Sequence, residues 1–485
     1  MIYEKRKIRY ALPKKILYKE GDFENESALL RDADDQINVF EQDIFVCKGK
    51  GYIVLDFGKE LCGGIRILTH YVRSEKDTFN VRIRFGESVS EACAELGEKN
   101  ATNNHALRDF TTALSAFSDQ TFGETGFRFI RIDFLDDTIY RIKRIYSKEY
   151  YRRLPNKGTF KSDDRLVNQI YKTSLRTVDL NIQNRIWDGI KRDRLVWIGD
   201  MEIEIKSILY THGFIPEIEE SINTAEEANK LPGWMNGIPA YSSWYLLITS
   251  DIYNYTHDSQ FVLRHLDYMN KVLKQISHAF NDKDEFGYEY VTECPSDHYF
   301  IDWPSSEEPY GDKKGACLNL LKYIIPQLQS MYKELKLDVS AIDEILVKLN
   351  KNVAVLPRNK AFLAFYHLIN HDEESYKLLI DSLPKGMSTF MSYYVLKAVA
   401  QKDKMLALNV MKEYYGAMLK KGATTFWEDF NIDWVKGSSR IDRLPKKNEL
   451  DIHGDFGGYC YVGFRHSLCH GWSAGPIPFL FEFFK

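Results

Sequence analysis

The feature that most constrains this fold is a change in the period of the hydrophobic pattern near Tyr150. Before it, short runs alternate apolar and polar residues, as half-buried strands do: Gly51 to Phe57, Ile65 to Tyr71, Val81 to Phe85 and Phe127 to Phe134. Gly58, Gly63, Gly64, Gly86 and Gly126 fall between or beside these runs and are read as turns. Several short strands at this spacing predict a β-sandwich. Beyond Tyr150 the pattern becomes helical. Ser162 or Asp163 is placed to cap a first helix carrying Leu166, Val167, Ile170 and Tyr171 on one face. Further helices are predicted over Glu204 to Tyr210, Ser243 to Tyr255, Phe261 to Phe280, Ala316 to Leu335, Ile342 to Asn350, Lys360 to Leu368, Glu373 to Leu383, Met387 to Ala400 and Lys404 to Leu419. A chain of 485 residues, 44% of them hydrophobic, can bury a core in each of two such parts. Helices alternating with aromatic-rich loops suggest a helical toroid for the second.

The densest chemistry lies in Trp187 to Glu202, W-D-G-I-K-R-D-R-L-V-W-I-G-D-M-E. Asp188, Asp193, Asp200 and Glu202 are interleaved there with Lys191, Arg192, Arg194, Trp187 and Trp197. Carboxylates move protons, indoles stack on sugar rings and cations fix hydroxyls, so the run has what a carbohydrate site needs. A salt-bridged surface turn would not spend two tryptophans, whose exposure is costly unless something covers them.

Net charge is -4 with no charge block, which points away from nucleic acid and membrane and toward a small, neutral partner. Self-association into a homodimer stays open. Seven cysteines without a C-x-x-C pair indicate reduced thiols, and neither an apolar leader nor a membrane-length apolar run is present, so a cytoplasmic location is expected. No metal-ligand spacing appears, and neither a metal nor a cofactor is expected.

The central run resembles the signature of the bacterial α-L-rhamnosidases, R-D-E-R-x-x-W-x-G-D, through Arg192, Asp193, Arg194, Trp197, Gly199 and Asp200. It departs from that pattern in lacking the glutamate between Asp193 and Arg194, and matches a shorter variant, D-G-x-K-R-D-R-x-x-W-x-G-D. The resemblance extends to Asp302-Trp303, to Thr425-Phe426-Trp427-Glu428, and to Ser467-Leu468-Cys469-His470 followed by Trp472. It implies an antiparallel β-sandwich over residues 1–150, accessory in role, followed by an (α/α)6 barrel catalytic domain over residues 151–485.

It also implies an inverting hydrolase that removes terminal α-L-rhamnose. Such an enzyme uses a general acid and a general base about 6.5 to 9.5 Å apart. Asp193 is expected as acid, with Asp188 and Asp200 as alternatives because of the missing glutamate, and Glu428 as base. Substrate contacts are expected from Asp188, Arg192, Trp197, Asp200, Trp234, Trp244, Asp302, Trp303, Trp427, His470 and Trp472. Arg192 and Arg194 are expected to turn away from Asp193, because side chains adjacent in sequence usually diverge. His453 and His466 are read as structural. A polar loop containing Glu87, Asn103, Asn104, His105 and Arg108 could reach from the first part of the chain into the site. The rival readings are another barrel glycosidase or a phosphorylase, and a non-catalytic sugar-binding relative.

Overall fold

The computed structural model describes residues 5–32, 34–71, 77–353 and 356–485. The alternating runs form strands, in places longer than the pattern suggested. The first part holds β1 (Lys7–Ala11), β2 (Lys15–Glu24), β3 (Phe45–Thr69), β4 (Thr78–Gly86), β5 (Asp109–Ser115), β6 (Asp119–Phe134) and β7 (Ile139–Tyr151). They lie in the order β1-β7-β3-β6-β4-β5, with β2 also on β3. The runs at Gly51 and Ile65 belong to one strand, β3. Gly58 and Gly63 do not end it; they mark register shifts opposite β6, between Asp56 and Leu61 and between Gly63 and Ile65. Gly63 has φ 152°, and a Cβ there would lie 2.0 Å from the Lys148 carbonyl oxygen on β7, so only glycine fits. Past the bend β3 pairs with β7, Gly63 opposite Glu149 and Leu68 opposite Arg144, residue numbers falling along one strand as they rise along the other.

Ile53, Leu55, Val81, Ile83, Phe127, Ile130 and Ile132 meet in the main core of this antiparallel sheet domain. Val54 and Phe129, on the opposite face, are covered by Val89 and Ala92 of the short helix α1 (Val89–Cys93). That cover places Glu87 and Glu91 between the sheet and the helical part.

The remainder is helical: α2 (Arg165–Asn181), α3 (Met201–His212), α4 (Pro216–Ala228), α5 (Pro239–Thr256), α6 (Ser259–Ser277), α7 (Tyr310–Glu334), α8 (Ser340–Lys351), α9 (Lys360–Asn370), α10 (Glu373–Ile380), α11 (Ser392–Ala400), α12 (Lys404–Lys420) and α13 (Pro476–Phe484). The cap of α2 is neither Ser162 nor Asp163 but Asp164, whose carboxylate accepts from Leu166 N at 2.8 Å and Val167 N at 3.2 Å. The helices α4 and α13 lie outside the ranges that periodicity indicated. The first has few apolar residues, and the second is apolar nearly all round and so shows no helical stripe.

Helix-to-helix packing follows a ring: α3 on α5, α5 on α7, α7 on α9, α9 on α11, α11 on α13, and α13 back on α3. The intervening helices pack against this ring, α6 on α5, α8 on α7, α10 on α9 and α11, and α12 on α11 and α2. Burial separates the two sets. Eleven of the twelve residues of α3 are buried, whereas α8 buries three of twelve, Ile342, Ile345 and Leu349, along one stripe. Among the described residues no helix is long and apolar enough to cross a membrane.

Candidate active site

The segments leading into the ring helices meet at one end of the helical part. Asn236, before α5, accepts from Ile198 N, before α3, at 3.0 Å. Ser388, before α11, donates to Asp302, before α7, and Thr389 donates to the carbonyl of Glu428, before α13.

The motif loop between α2 and α3 is folded around Asp188. Its two carboxylate oxygens accept separately from Asp193 N at 2.8 Å and Leu195 N at 2.9 Å, which turns the loop back on itself. The Asp188 carbonyl accepts from Gly471 N at 2.8 Å, tying the loop to the last segment. Burial, and secondarily the nearby charge of Asp193, push the Asp188 carboxyl up to about 7.

Arg192 then reaches across this junction. Its Nε donates to Arg465 O at 2.7 Å and its Nη2 to Cys460 O at 2.9 Å; Nη1 lies 3.0 Å from Asp193 Oδ1 and Nη2 lies 3.2 Å from Glu428 Oε1. The two proposed catalytic carboxylates, 235 residues apart in sequence, thus share one guanidinium. Contrary to the expectation of divergence, Arg192 points at Asp193. Arg194 does turn away, to Glu124 and over the Trp187 ring.

Asp193 Oδ2 accepts from the indole N–H of Trp197 at 3.2 Å, and Oδ1 also lies 3.2 Å from His105 Nε2. Glu428 is held from behind: Oε2 accepts from Ser467 N at 2.8 Å, and its carbonyl accepts from Trp472 Nε1 at 2.8 Å. The two carboxylates differ in depth, with 21% of the Asp193 side chain exposed against 5% for Glu428. Burial raises Glu428 to about 8, against the opposing pull of Arg192. Asp200, which accepts from Tyr241 Oη at 2.7 Å, is also driven well above the carboxylate range by burial and then by Asp188. Gly199 makes room for that tyrosine: a Cβ there would sit 2.4 Å from its ring.

His470 Nε2 lies 3.8 Å from Asp188, 3.8 Å from Asp200 and 3.7 Å from Glu428. Burial, then the Arg192 charge, holds its pKa well below the usual histidine range, so the ring is neutral and can donate or accept. Among the described residues two groups bring three candidate ligand atoms within 4.8 Å, Asp188-Asp200-His470 and Glu87-Glu91-His453. In the first, both Asp188 oxygens are already engaged by backbone N–H groups; in the second, the Lys191 ammonium already lies 3.0 Å from Glu87 and 3.1 Å from Glu91. Neither arrangement favours a metal ion.

Of the expected site residues, Asp188, Arg192, Asp193, Trp197, Asp200, Glu428, His470 and Trp472 are brought together. Trp303 joins through Tyr461, whose ring is edge-on to both Trp303 and Trp472 and lies under Arg192. Four others have different roles. Trp244 is completely buried among Phe365, Phe390 and Tyr394 and cannot touch a sugar. The Trp234 indole donates to Cys294 O and packs edge-on to Tyr288. Trp427 is buried on Phe430. The Asp302 carboxylate is committed to Ser305 N at 3.2 Å and to the hydroxyls of Ser305 and Ser388, capping a turn. In each case an aromatic or acidic residue beside a motif meets a neighbour that the sequence does not reveal. Tyr461 and the carbonyls of Cys460 and Arg465, which surround Arg192, carry no local pattern that singles them out. His453 and His466 are structural as read, His453 between Ser88 and His466 O, and His466 accepting from Asp429 N.

The sheet domain buttresses this site. Glu87 accepts from Leu468 N at 2.6 Å, and Glu91 accepts from Arg108 at 2.6 Å as well as from Lys191. Removing Glu91 would leave two buried cations without their shared partner. Glu91→Ala should therefore lower stability by about 3 to 5 kcal/mol, read from denaturant midpoints.

Residues 155–331 match the family model described as the bacterial alpha-L-rhamnosidase 6 hairpin glycosidase domain. No match is found among curated protein sequences. Among solved structures, a rhamnosidase from Klebsiella oxytoca with rhamnose bound is similar with a TM-score of 0.75 and 16% identity, over 99% of this chain and 96% of that one. A GH78 family rhamnosidase of Bacillus sp. GL1 gives 0.67 and 16%, over 94% of this chain and 48% of that one. The Streptomyces avermitilis alpha-L-rhamnosidase complexed with L-rhamnose gives 0.63 and 14%, over 89% and 42%. The chain thus spans about half or less of the length of the last two. Over nearly its full length this chain has the fold of the α-L-rhamnosidases, and residues 155–331 match that family's six-hairpin glycosidase domain.

Proposed function

We propose that the protein is an inverting α-L-rhamnosidase that removes terminal α-L-rhamnose, with Asp193 as general acid and Glu428 as general base. The observation that carries this reading is the shared contact with Arg192. Two carboxylates bonded to the two ends of one guanidinium are separated by no more than two hydrogen bonds and the width of the group, about 8 to 9 Å. That ceiling brings the pair within the reach of a glycosidase acid and base and admits the separation of about 6.5 to 9.5 Å that an inverting enzyme needs to seat a water, as it does the shorter one of a retaining enzyme. The difference in depth supports the assignment of roles. The departing aglycone leaves toward solvent, so the acid belongs on the more exposed side and the base beneath the ring.

A sugar hydroxyl placed against Asp188, Asp200 and His470 would satisfy groups that lie slightly too far apart to bond directly. Trp197, Trp303, Tyr461 and Trp472 offer an apolar wall for a deoxy-sugar's methyl group. The closed ring of six helices with six more around it supports an (α/α)6 barrel over residues 151–485. The sheet domain fits an accessory sandwich over residues 1–150. All seven cysteines are free thiols, in keeping with a reducing, cytoplasmic setting.

A second reading, with the roles exchanged, is favoured by one fact: burial leaves Glu428 holding its proton up to about 8. Turnover of aryl α-L-rhamnosides, with NMR of the first anomer released, tests the function. Inversion of configuration is the expected result. Retention would remove the water-activating base, and absence of turnover beside measurable rhamnose binding would favour a sugar-binding relative.

A further inference from the structure

His105 belongs to the sheet domain, yet its ring lies against the proposed acid. It stands in the loop between the turn Glu98–Asn100 and β5, with φ 66°, and its Nε2 lies 3.2 Å from Asp193 Oδ1. The loop is anchored at several points. The Asn103 side chain accepts from Arg108 N at 2.9 Å and Asp109 N at 3.0 Å, and donates to Asp109 O at 2.9 Å. The Arg108 guanidinium, 5% exposed, donates to Thr125, Gly126 O, Phe85 O and Glu91. Lys99 at the base of the loop pairs with Asp455 at 2.6 Å. Glu91 also binds Lys191, one residue before Arg192, so one carboxylate fixes both the His105 loop and the catalytic loop.

We propose that His105 is a positioning residue of the active site: its imidazole N–H, with Arg192, fixes Asp193 Oδ1 and so turns Oδ2 toward the leaving oxygen. The geometry divides the carboxyl's work. Oδ1 accepts from Arg192 and has the His105 ring nitrogen 3.2 Å away, while Oδ2 faces the Trp197 indole and retains a free position for the transferable proton. A carboxylic acid held by one oxygen presents the other in a defined direction, and loss of one contact from such a holder loosens it. The sheet domain is then part of the catalytic apparatus as well as a buttress.

This inference rests on Asp193 being the acid, and the test separates the two. In His105→Ala, kcat/KM on rhamnosides with poor leaving groups should fall about tenfold, the equivalent of one such contact, and on activated aryl rhamnosides far less. His105→Gln, which offers an N–H near the same place, should restore most of the difference. Equal losses on both substrates, or none on either, would overturn the positioning role. Independently of turnover, the His105 ring signal in spectra of 13C-histidine-labelled protein, assigned by its loss in H105Q, should move in Asp193→Asn. An unmoved signal would disprove the contact itself. A moved signal, with an Asp193→Asn variant equally poor on both substrate classes, would instead retain the contact and reject Asp193 as acid.

Discussion

Asp193→Asn should lose about 10²- to 10⁴-fold in kcat/KM on natural rhamnosides and far less on aryl rhamnosides with good leaving groups. An amide can keep the contact from Arg192 through its one oxygen, although its NH2 then faces the Trp197 indole N–H, and it has no acidic proton to give. The loss should therefore scale with the basicity of the departing oxygen, since a good leaving group departs without protonation. Binding of rhamnose itself should change little, because in the proposed role Asp193 serves the bond being cleaved. The same comparison decides between the two assignments of roles. If Glu428→Gln is the variant rescued by good leaving groups, then the deeper carboxyl is the acid and the order proposed here is reversed.

Glu428→Gln should be poor on every substrate, by a similar factor, because each turnover needs a base for water whatever the leaving group. The pH dependence follows from the same residue. Burial raises Glu428 to about 8, so in the free protein it is protonated, and unable to accept a proton, below that pH. Raising the pH ionises it, and kcat/KM should climb through about 8. Arg192 opposes the effect of burial, and removing it by Arg192→Met should move this limb to higher pH. A profile that instead falls through 8 would identify Glu428 as the proton donor. The neighbouring carboxyls meet no such demand: as proposed partners for hydroxyl groups, Asp188 and Asp200 are not required to give up or take a proton in turnover.

Some of this was decided by local chemistry. The period of the hydrophobic pattern separated sheet from helix near Tyr150, because side-chain alternation follows backbone geometry wherever one face is buried. The motif around Asp193 and the Trp427-Glu428 pair singled out two carboxylates that meet at one guanidinium, because unusual residue types are concentrated in those short stretches. Resemblance to the rhamnosidases named a fold to which the solved structures prove similar.

Other features depended on contacts between distant segments, which no local pattern encodes. Trp244 and Trp197 both lie beside apolar neighbours in sequence, yet one is sealed inside the helical ring and the other reaches Asp193. Asp302 looked like a sugar ligand until Ser388, 86 residues away, claimed its carboxylate. The direction of Arg192 was set by Cys460, Arg465 and Glu428, and the place of His105 by Arg108 and Glu91. The sequence determined which groups were available for proton transfer and which segments could carry them. The tertiary structure alone decided which of them meet, because buried polar groups must find partners and those partners come from wherever the chain happens to return.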